Sequence, residues 1–316
     1  MRRLVWAVVI LGILGAVVFY FLTMPRTIAA SAIPSHTPDV KNGEYMFYAG
    51  GCASCHATPA SDKCDDPKYT DAHALGGGRC LNTPFGSFSV PNISSDKAHG
   101  IGGWTPLEFV NAMVRGVAPD GSHYYPAFPY TSYQRMKLTD LLDLKAYLDT
   151  VPAVQTDAPP HDLALPFRLR RGLGLWKLLF LDGKPFEPSP GASDKVNRGG
   201  YLVEGPGHCG ECHSPRNLLG GVVASAKLSG GPSPEGEGWI PNISPHKTGI
   251  GDWSEDEIAY SLESGLTPSF DAFGGPMAAV QANTAKLTPE DRAAMAAYLK
   301  TVPAVASSRP GKDSAK

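Results

Sequence analysis

The sequence predicts an all-α fold, a tandem repeat of two helical domains behind an N-terminal apolar helix. Three observations carry that prediction. The pattern Cys-x-x-Cys-His occurs twice, as Cys52-Ala53-Ser54-Cys55-His56 and as Cys209-Gly210-Glu211-Cys212-His213. The segments flanking the first copy return in the same order around the second, the signature of an internal repeat. No long alternating apolar/polar stretch argues for a sheet, whereas helical periods with capping residues recur in both halves.

The N-terminus reads Met1-Arg2-Arg3 and then runs from Leu4 to Leu22 without a charge. At about 1.5 Å per residue this run nearly spans a hydrocarbon core of about 30 Å. The preceding arginines place that end in the cytoplasm and the rest of the chain outside it. The expectation is an uncleaved anchor over residues 1–26, in the cytoplasmic (inner) membrane with a single pass, and the domains on the periplasmic side. Ala30-Ser31-Ala32 resembles a cleavage site, so a signal peptide is the competing reading; it exports the domains equally. Residues 27–40, with Pro34 and Pro38, are read as a polar tether.

The repeat defines two domains, 41–154 and 196–306. Asn42-Gly43-Glu44-Tyr45-Met46-Phe47-Tyr48 leads into the first motif as Asn197-Arg198-Gly199-Gly200-Tyr201-Leu202-Val203 leads into the second. Pro91-Asn92-Ile93-Ser94 matches Pro241-Asn242-Ile243-Ser244, and Gly100-Ile101-Gly102-Gly103-Trp104 matches Gly249-Ile250-Gly251-Asp252-Trp253. Each half closes alike, on Val151-Pro152-Ala153-Val154 or Val302-Pro303-Ala304-Val305. Three helices are expected per half: one before the motif, one capped by Thr105 or Ser254, and one starting at Thr139 or Thr288. Residues 307–316 read as a polar tail.

The connector, 155–195, contains Leu165-Pro166-Phe167 and Leu173-Gly174-Leu175-Trp176-Lys177-Leu178-Leu179-Phe180, too apolar for water. It is expected to pack between the domains. The competing reading makes Arg168, Arg170, Arg171 and Trp176 a membrane or partner surface.

Two thiols three positions apart, with a histidine next, form the attachment site of a c-type haem. One helical turn lets both sulfurs add to the two vinyl groups of one porphyrin edge and sets the imidazole beneath the iron. Cys52, Cys55, Cys209 and Cys212 thus bind two covalent haem c groups, with His56 and His213 as proximal ligands. A redox dithiol does not need the histidine, and zinc ribbons do not carry one after each pair. The remaining pair, Cys64 and Cys80, is expected to form a disulfide in an exported protein, contributing roughly 3 kcal/mol by closing its loop.

The chain of 316 residues has a net charge of −2, with 42% hydrophobic and 18% charged residues. It therefore has ample core material, and its charge argues against nucleic acid as a partner. The 35 Gly and 29 Pro fit loops wrapped around a prosthetic group. No hydrolytic triad, phosphate loop or nucleotide fingerprint is visible.

An electron-carrying haem normally has both axial positions filled, most often by His and Met. Helical methionines are more often core filler, which leaves Met136 and Met277 in loops before the final helices. Met277 lies ten residues before Leu287; the matching position before Leu138 is Phe128, which cannot ligate iron. Met136 is therefore the expected distal ligand of the first haem, with His123 as the alternative and an open site as the third.

The chain resembles the multihaem cytochrome c subunits of membrane-bound bacterial alcohol, aldehyde and gluconate dehydrogenases and related diheme cytochromes c, over residues 42–305. The resemblance is carried by Tyr125-Pro126-Ala127-Phe128-Pro129-Tyr130, Arg198-Gly199-Gly200-Tyr201-Leu202-Val203 and Gly207-His208-Cys209-Gly210-Glu211-Cys212-His213-Ser214-Pro215-Arg216-Asn217. It implies two cytochrome c-like haem domains, haem binding by the same cysteines and histidines, and Met277 as a distal ligand. It also implies electrons taken from a periplasmic or membrane dehydrogenase and passed to quinone, another cytochrome or a terminal oxidase. Those subunits typically carry three haems, whereas this chain has cysteines for two. Many relatives have methionine where Phe128 stands. The expected role is an electron carrier, not an enzyme. The alternative is a haem enzyme, peroxidase-like or thiosulfate dehydrogenase-like, acting at one open or unusual distal site.

Overall fold

The computed structural model describes residues 1–61, 63–66, 68–236, 238–307 and 309, so most of the expected polar tail lies outside the described residues. Helix α1 (Arg2–Leu22) has a mean hydropathy of 2.6, and none of its residues is buried. It ends at Thr23, which is fully buried. The Thr23 hydroxyl donates to the Phe19 carbonyl at 2.7 Å and accepts from Arg171 Nε at 2.9 Å. The Thr23 carbonyl accepts from His123 Nε2 at 2.9 Å. The segment after it lies along the first half, where the Ile28 amide donates to Asn111 Oδ1 at 2.8 Å and His36 Nε2 meets Asp143 at 2.6 Å.

The first half contains α2 (Val40–Ala49), α3 (Cys52–His56), α4 (Pro106–Arg115), α5 (Tyr130–Tyr133) and α6 (Leu138–Leu148). Helix α7 (Leu173–Phe180) lies in the connector. The second half repeats the order as α8 (Asp194–Glu204), α9 (Cys209–Cys212), α10 (Glu255–Ser264), α11 (Pro276–Thr284) and α12 (Pro289–Leu299). The three helices expected in each half are present, with two short ones besides: the motif turn, α3 or α9, and α5 or α11 before the last. Thr105 and Ser254 close capping boxes with Glu108 and Glu257, and Thr288 caps α12. Helix α6 starts at Leu138 rather than at Thr139 and has no side-chain cap; the Lys137 amide donates to the Tyr201 hydroxyl at 3.3 Å instead.

Each half is built on a crossing of its first and last helices, made close by a glycine. A Cβ on Gly43 of α2 would collide with the Asp143 carbonyl of α6, and one on Gly199 of α8 with the Ala294 carbonyl of α12. Alanine would gain about 1 kcal/mol of helix propensity, but overpacking costs about 1–3 kcal/mol and a backbone neighbour yields little. Gly199→Ala is expected to lower the denaturant midpoint by the equivalent of about 2 kcal/mol; an unchanged or raised midpoint would show that this crossing is not tight.

Short strands, invisible to periodicity, flank the helices. The hairpin β1 (Cys80–Thr83) and β2 (Gly86–Ser89) is extended by β3 (Asp162–Leu163) from the connector, all antiparallel. In the second half, β4 (Gly231–Pro232) pairs with β5 (Trp239–Ile240). Cys64 and Cys80 form the expected disulfide at the start of the hairpin. Helix α7 touches both halves: Lys177 Nζ donates to the Arg115 and Gly116 carbonyls at 2.8 and 2.6 Å, and Trp176 Nε1 donates to the Leu219 carbonyl at 2.9 Å. The expected packing between the halves is thus seen on one face of α7. The other face is exposed.

Candidate functional site

Each Cys-x-x-Cys-His motif forms a single turn of helix, α3 or α9. The chain enters each turn through a left-handed residue, Gly51 (φ 57°) or His208 (φ 39°). Glycine adopts that conformation freely, whereas a histidine needs support. His208 Nε2 donates to the Gly50 carbonyl at 3.3 Å, and its ring meets Tyr133 edge-on at 5.5 Å.

His56 Nδ1 donates to the Pro91 carbonyl at 2.9 Å, and His213 Nδ1 donates to the Pro241 carbonyl at 2.8 Å. With the proton on Nδ1, Nε2 carries the free lone pair, the arrangement of a metal-ligating histidine held by a carbonyl partner. Burial pushes both imidazoles below their ordinary value, with the carbonyl bond opposing, so both remain neutral as a ligand must. Burial raises the Cys52 and Cys209 thiols to about 12 and Cys212 to about 11. A redox dithiol needs the opposite shift.

This geometry explains two repeats whose purpose the sequence left unstated. Asn92 Nδ2 donates to the Val154 carbonyl at 2.6 Å, and its Oδ1 accepts from the Ser94 amide at 2.8 Å. Asn242 does the same with Val305 and Ser244, both at 2.8 Å. In each half the Val-Pro-Ala-Val ending thus pins the Pro-Asn-Ile-Ser turn, and the proline carbonyl of that turn aims the histidine.

Each motif helix is bonded across the seam to the other half. From the first half, Thr131 and Ser132 of α5 donate to Glu211 Oε1 of α9 at 2.7 and 2.8 Å. From the second, Asn283 Nδ2 of α11 donates to Ser54 Oγ of α3 at 3.0 Å. Arg79, buried, donates to the Ser54 carbonyl at 2.6 Å and pairs with Glu235 at 3.3 Å. Glu211 is paired with Arg216 at 2.8 Å; although burial opposes its charge, that pair and the two hydroxyls hold its carboxyl below the usual range. Tyr45 donates to Asp291 at 2.6 Å, and Tyr201 donates to Asp140, tying each half's first helix to the other half's last.

No family model matches the chain. It is 48% identical over 305 residues to a diheme cytochrome c-type protein of Cereibacter sphaeroides, an alignment covering 96% of this chain and 100% of that one. The chain belongs to the diheme c-type cytochromes. It is also 37% identical over 278 residues to the fructose dehydrogenase cytochrome subunit of Gluconobacter japonicus (87% of this chain, 54% of that one). With the gluconate 2-dehydrogenase cytochrome c subunit of Pantoea cypripedii it shares 34% over 274 residues (83% and 59%). The cytochrome thus spans little more than half the length of those dehydrogenase subunits.

Two haem c groups are covalently bound, and the residues fit them: paired thiols on one turn, followed by an imidazole with its Nδ1 already engaged. When bound, each iron supplies a reversible one-electron step. The chain holds each imidazole in one orientation and tautomer, and its seam fixes one site against the other.

The distal candidates are placed unequally. Met277, expected in a loop, instead lies in the first turn of helix α11, because Pro276 opens that helix one residue earlier; it is partly exposed. At the matching position before α5, Phe128 packs among Tyr124 and Tyr133, each with ring centroids 5.6 Å away. Met136 follows α5, is 2% exposed in the core that also takes in Cys52, and its Cγ would lie 3.6 Å from a Cβ on Gly205 across the seam. His123 is buried with both ring nitrogens engaged, Nε2 by Thr23 and Nδ1 by Lys177 Nζ at 3.0 Å. A bis-His haem at His123 would have to break that network.

Proposed function

We propose that this cytochrome is a membrane-anchored electron carrier whose halves, 41–154 and 196–306, are two cytochrome c-like haem domains working as a relay. In this reading electrons arrive from a periplasmic or membrane dehydrogenase and leave to quinone, another cytochrome or a terminal oxidase. The observation that carries it is the seam that bonds α9 of the second half to α5 of the first, and α3 of the first to α11 of the second. Two redox sites fixed against each other by those bonds serve transfer through the protein, and neither needs a substrate pocket. The relatives named as dehydrogenase cytochrome subunits support a dehydrogenase donor. The ligand set is His56 and Met136 for the first haem, His213 and Met277 for the second. Purified protein is expected to take up two electrons per chain and to give them up to a quinone analogue, with no turnover of peroxide or thiosulfate. Turnover of either would favour the haem-enzyme reading, for which Phe128 at the position matching Met277 is the one specific support.

The anchor reading draws support from Thr23, which joins the end of α1 to His123, Arg171 and Gly174 in the body. Native protein is expected to fractionate with membranes and to begin at Met1, read by N-terminal sequencing. A mature N-terminus near Ser31 or Ile33 would mean that α1 is a signal peptide.

A further inference from the structure

Helix α7 is amphipathic in the inverted sense. Its one charged residue, Lys177, is buried with Gly174, while Leu175, Leu178 and Leu179 point away from the body, Leu179 with 67% of its surface exposed. A helix on a water-facing surface does the reverse. The inversion is built in: the Lys177 ammonium is held by the two carbonyls that end α4 and by His123 Nδ1, and it lies 4.8 Å from the Tyr130 ring centre. A cation is favourable at a helix C-terminus, while burial pushes the Lys177 ammonium down to about 7.

The apolar face extends beyond the helix. Leu165 and Phe167 are exposed on the approaching loop. On the far side Leu218 and Leu219 are exposed, joined to α7 by the bond from Trp176 to the Leu219 carbonyl. Single exposed leucines need no explanation, but a contiguous set on a helix with its charge turned inward does.

The buried face of α7, opposite these leucines, packs on the end of the apolar span. A Cβ on Gly174 would meet Thr23 Cα at 2.5 Å, so α7 and α1 touch backbone to backbone. Arg171 lies 4.8 Å over the Tyr20 ring and donates to the Tyr20 carbonyl at 3.0 Å, a cation and an aromatic placed as at a membrane boundary. We propose that α7 lies in the boundary between headgroups and acyl chains of the bilayer that α1 crosses, its leucines in lipid, so that the haem body sits on the membrane in one orientation rather than swinging from a tether. The proposal rests on the reading of α1 as an anchor. The exposed Arg168, paired with Asp162 at 3.9 Å, flanks the face; in this placement its guanidinium would meet lipid phosphates.

The test uses the full-length holoprotein in phosphatidylcholine nanodiscs whose acyl chains carry a diazirine, with lipid adducts mapped by peptide mass spectrometry after irradiation. Adducts are expected in both α1 and residues 173–180. A Leu175→Gln/Leu178→Gln/Leu179→Gln variant should keep its haem content and its α1 adducts but lose those of α7 at least tenfold. Adducts confined to α1 in the wild type would overturn the proposal and leave the face for a protein partner. Adducts in neither segment would overturn the anchor reading with it. Adducts in α7 alone would refute the anchor while supporting the lipid contact.

Discussion

Denatured wild-type protein is expected to retain two covalent haems by intact mass and haem stain, and Cys55→Ala and Cys212→Ala each to weaken or abolish attachment at one of them. Each haem is held by two thioethers, and removing one sulfur leaves a single bond at an edge built for two. The loss reaches beyond redox chemistry. Cys52 packs on the core of the first half and Cys209 on that of the second, so a half without its haem loses part of what its helices fold around. The seam links α3 directly to α11 and α9 to α5, so loss at one site should also lower the unfolding midpoint of the other half. A wild-type mass with one haem, or with none, would be incompatible with both motifs acting as attachment sites.

The second large effect is at the distal positions. Met277→Ala is expected to remove part of the weak near-infrared sulfur-to-iron band and to lower the potential of the second haem. Axial ligation tunes haem potentials over about 0.8 V, so a fall on the order of 0.1 V or more is expected in a redox titration. Met136→Ala should remove the remainder of the band and lower the first potential in the same way, and either change should slow exchange between the haems. An unaltered band and titration in Met136→Ala would exclude that thioether. His123→Ala then decides between a second imidazole and an open iron. The packing of Met136 against Gly205 makes the first haem the more demanding of the two assignments.

The covalent chemistry and the repeat were legible in the residues themselves, because haem attachment needs two thiols and an imidazole within one helical turn, and a local spacing survives in one dimension. Helix starts at Thr105, Ser254 and Thr288 were legible for the same reason, since a cap bonds to amides two or three residues ahead. The length of the apolar helix α1 is likewise a local property of the run from Leu4 to Leu22. The seam was not legible. Tyr45 and Asp291 are 246 positions apart, and Ser54 and Asn283 are 229 apart, so no local period connects them. The role of Pro91 and Pro241 was hidden because the group that aims each histidine is a backbone carbonyl, which carries no residue identity. The hairpin at Cys80 was missed because its four-residue strands are too short for an alternation to register. The apolar stretch 173–180 was read as interdomain packing because its composition is the same whether leucines face protein or lipid. Only the tertiary structure, by burying Lys177 at the end of α4 and turning Leu178 and Leu179 outward, decided which side of that helix meets the body.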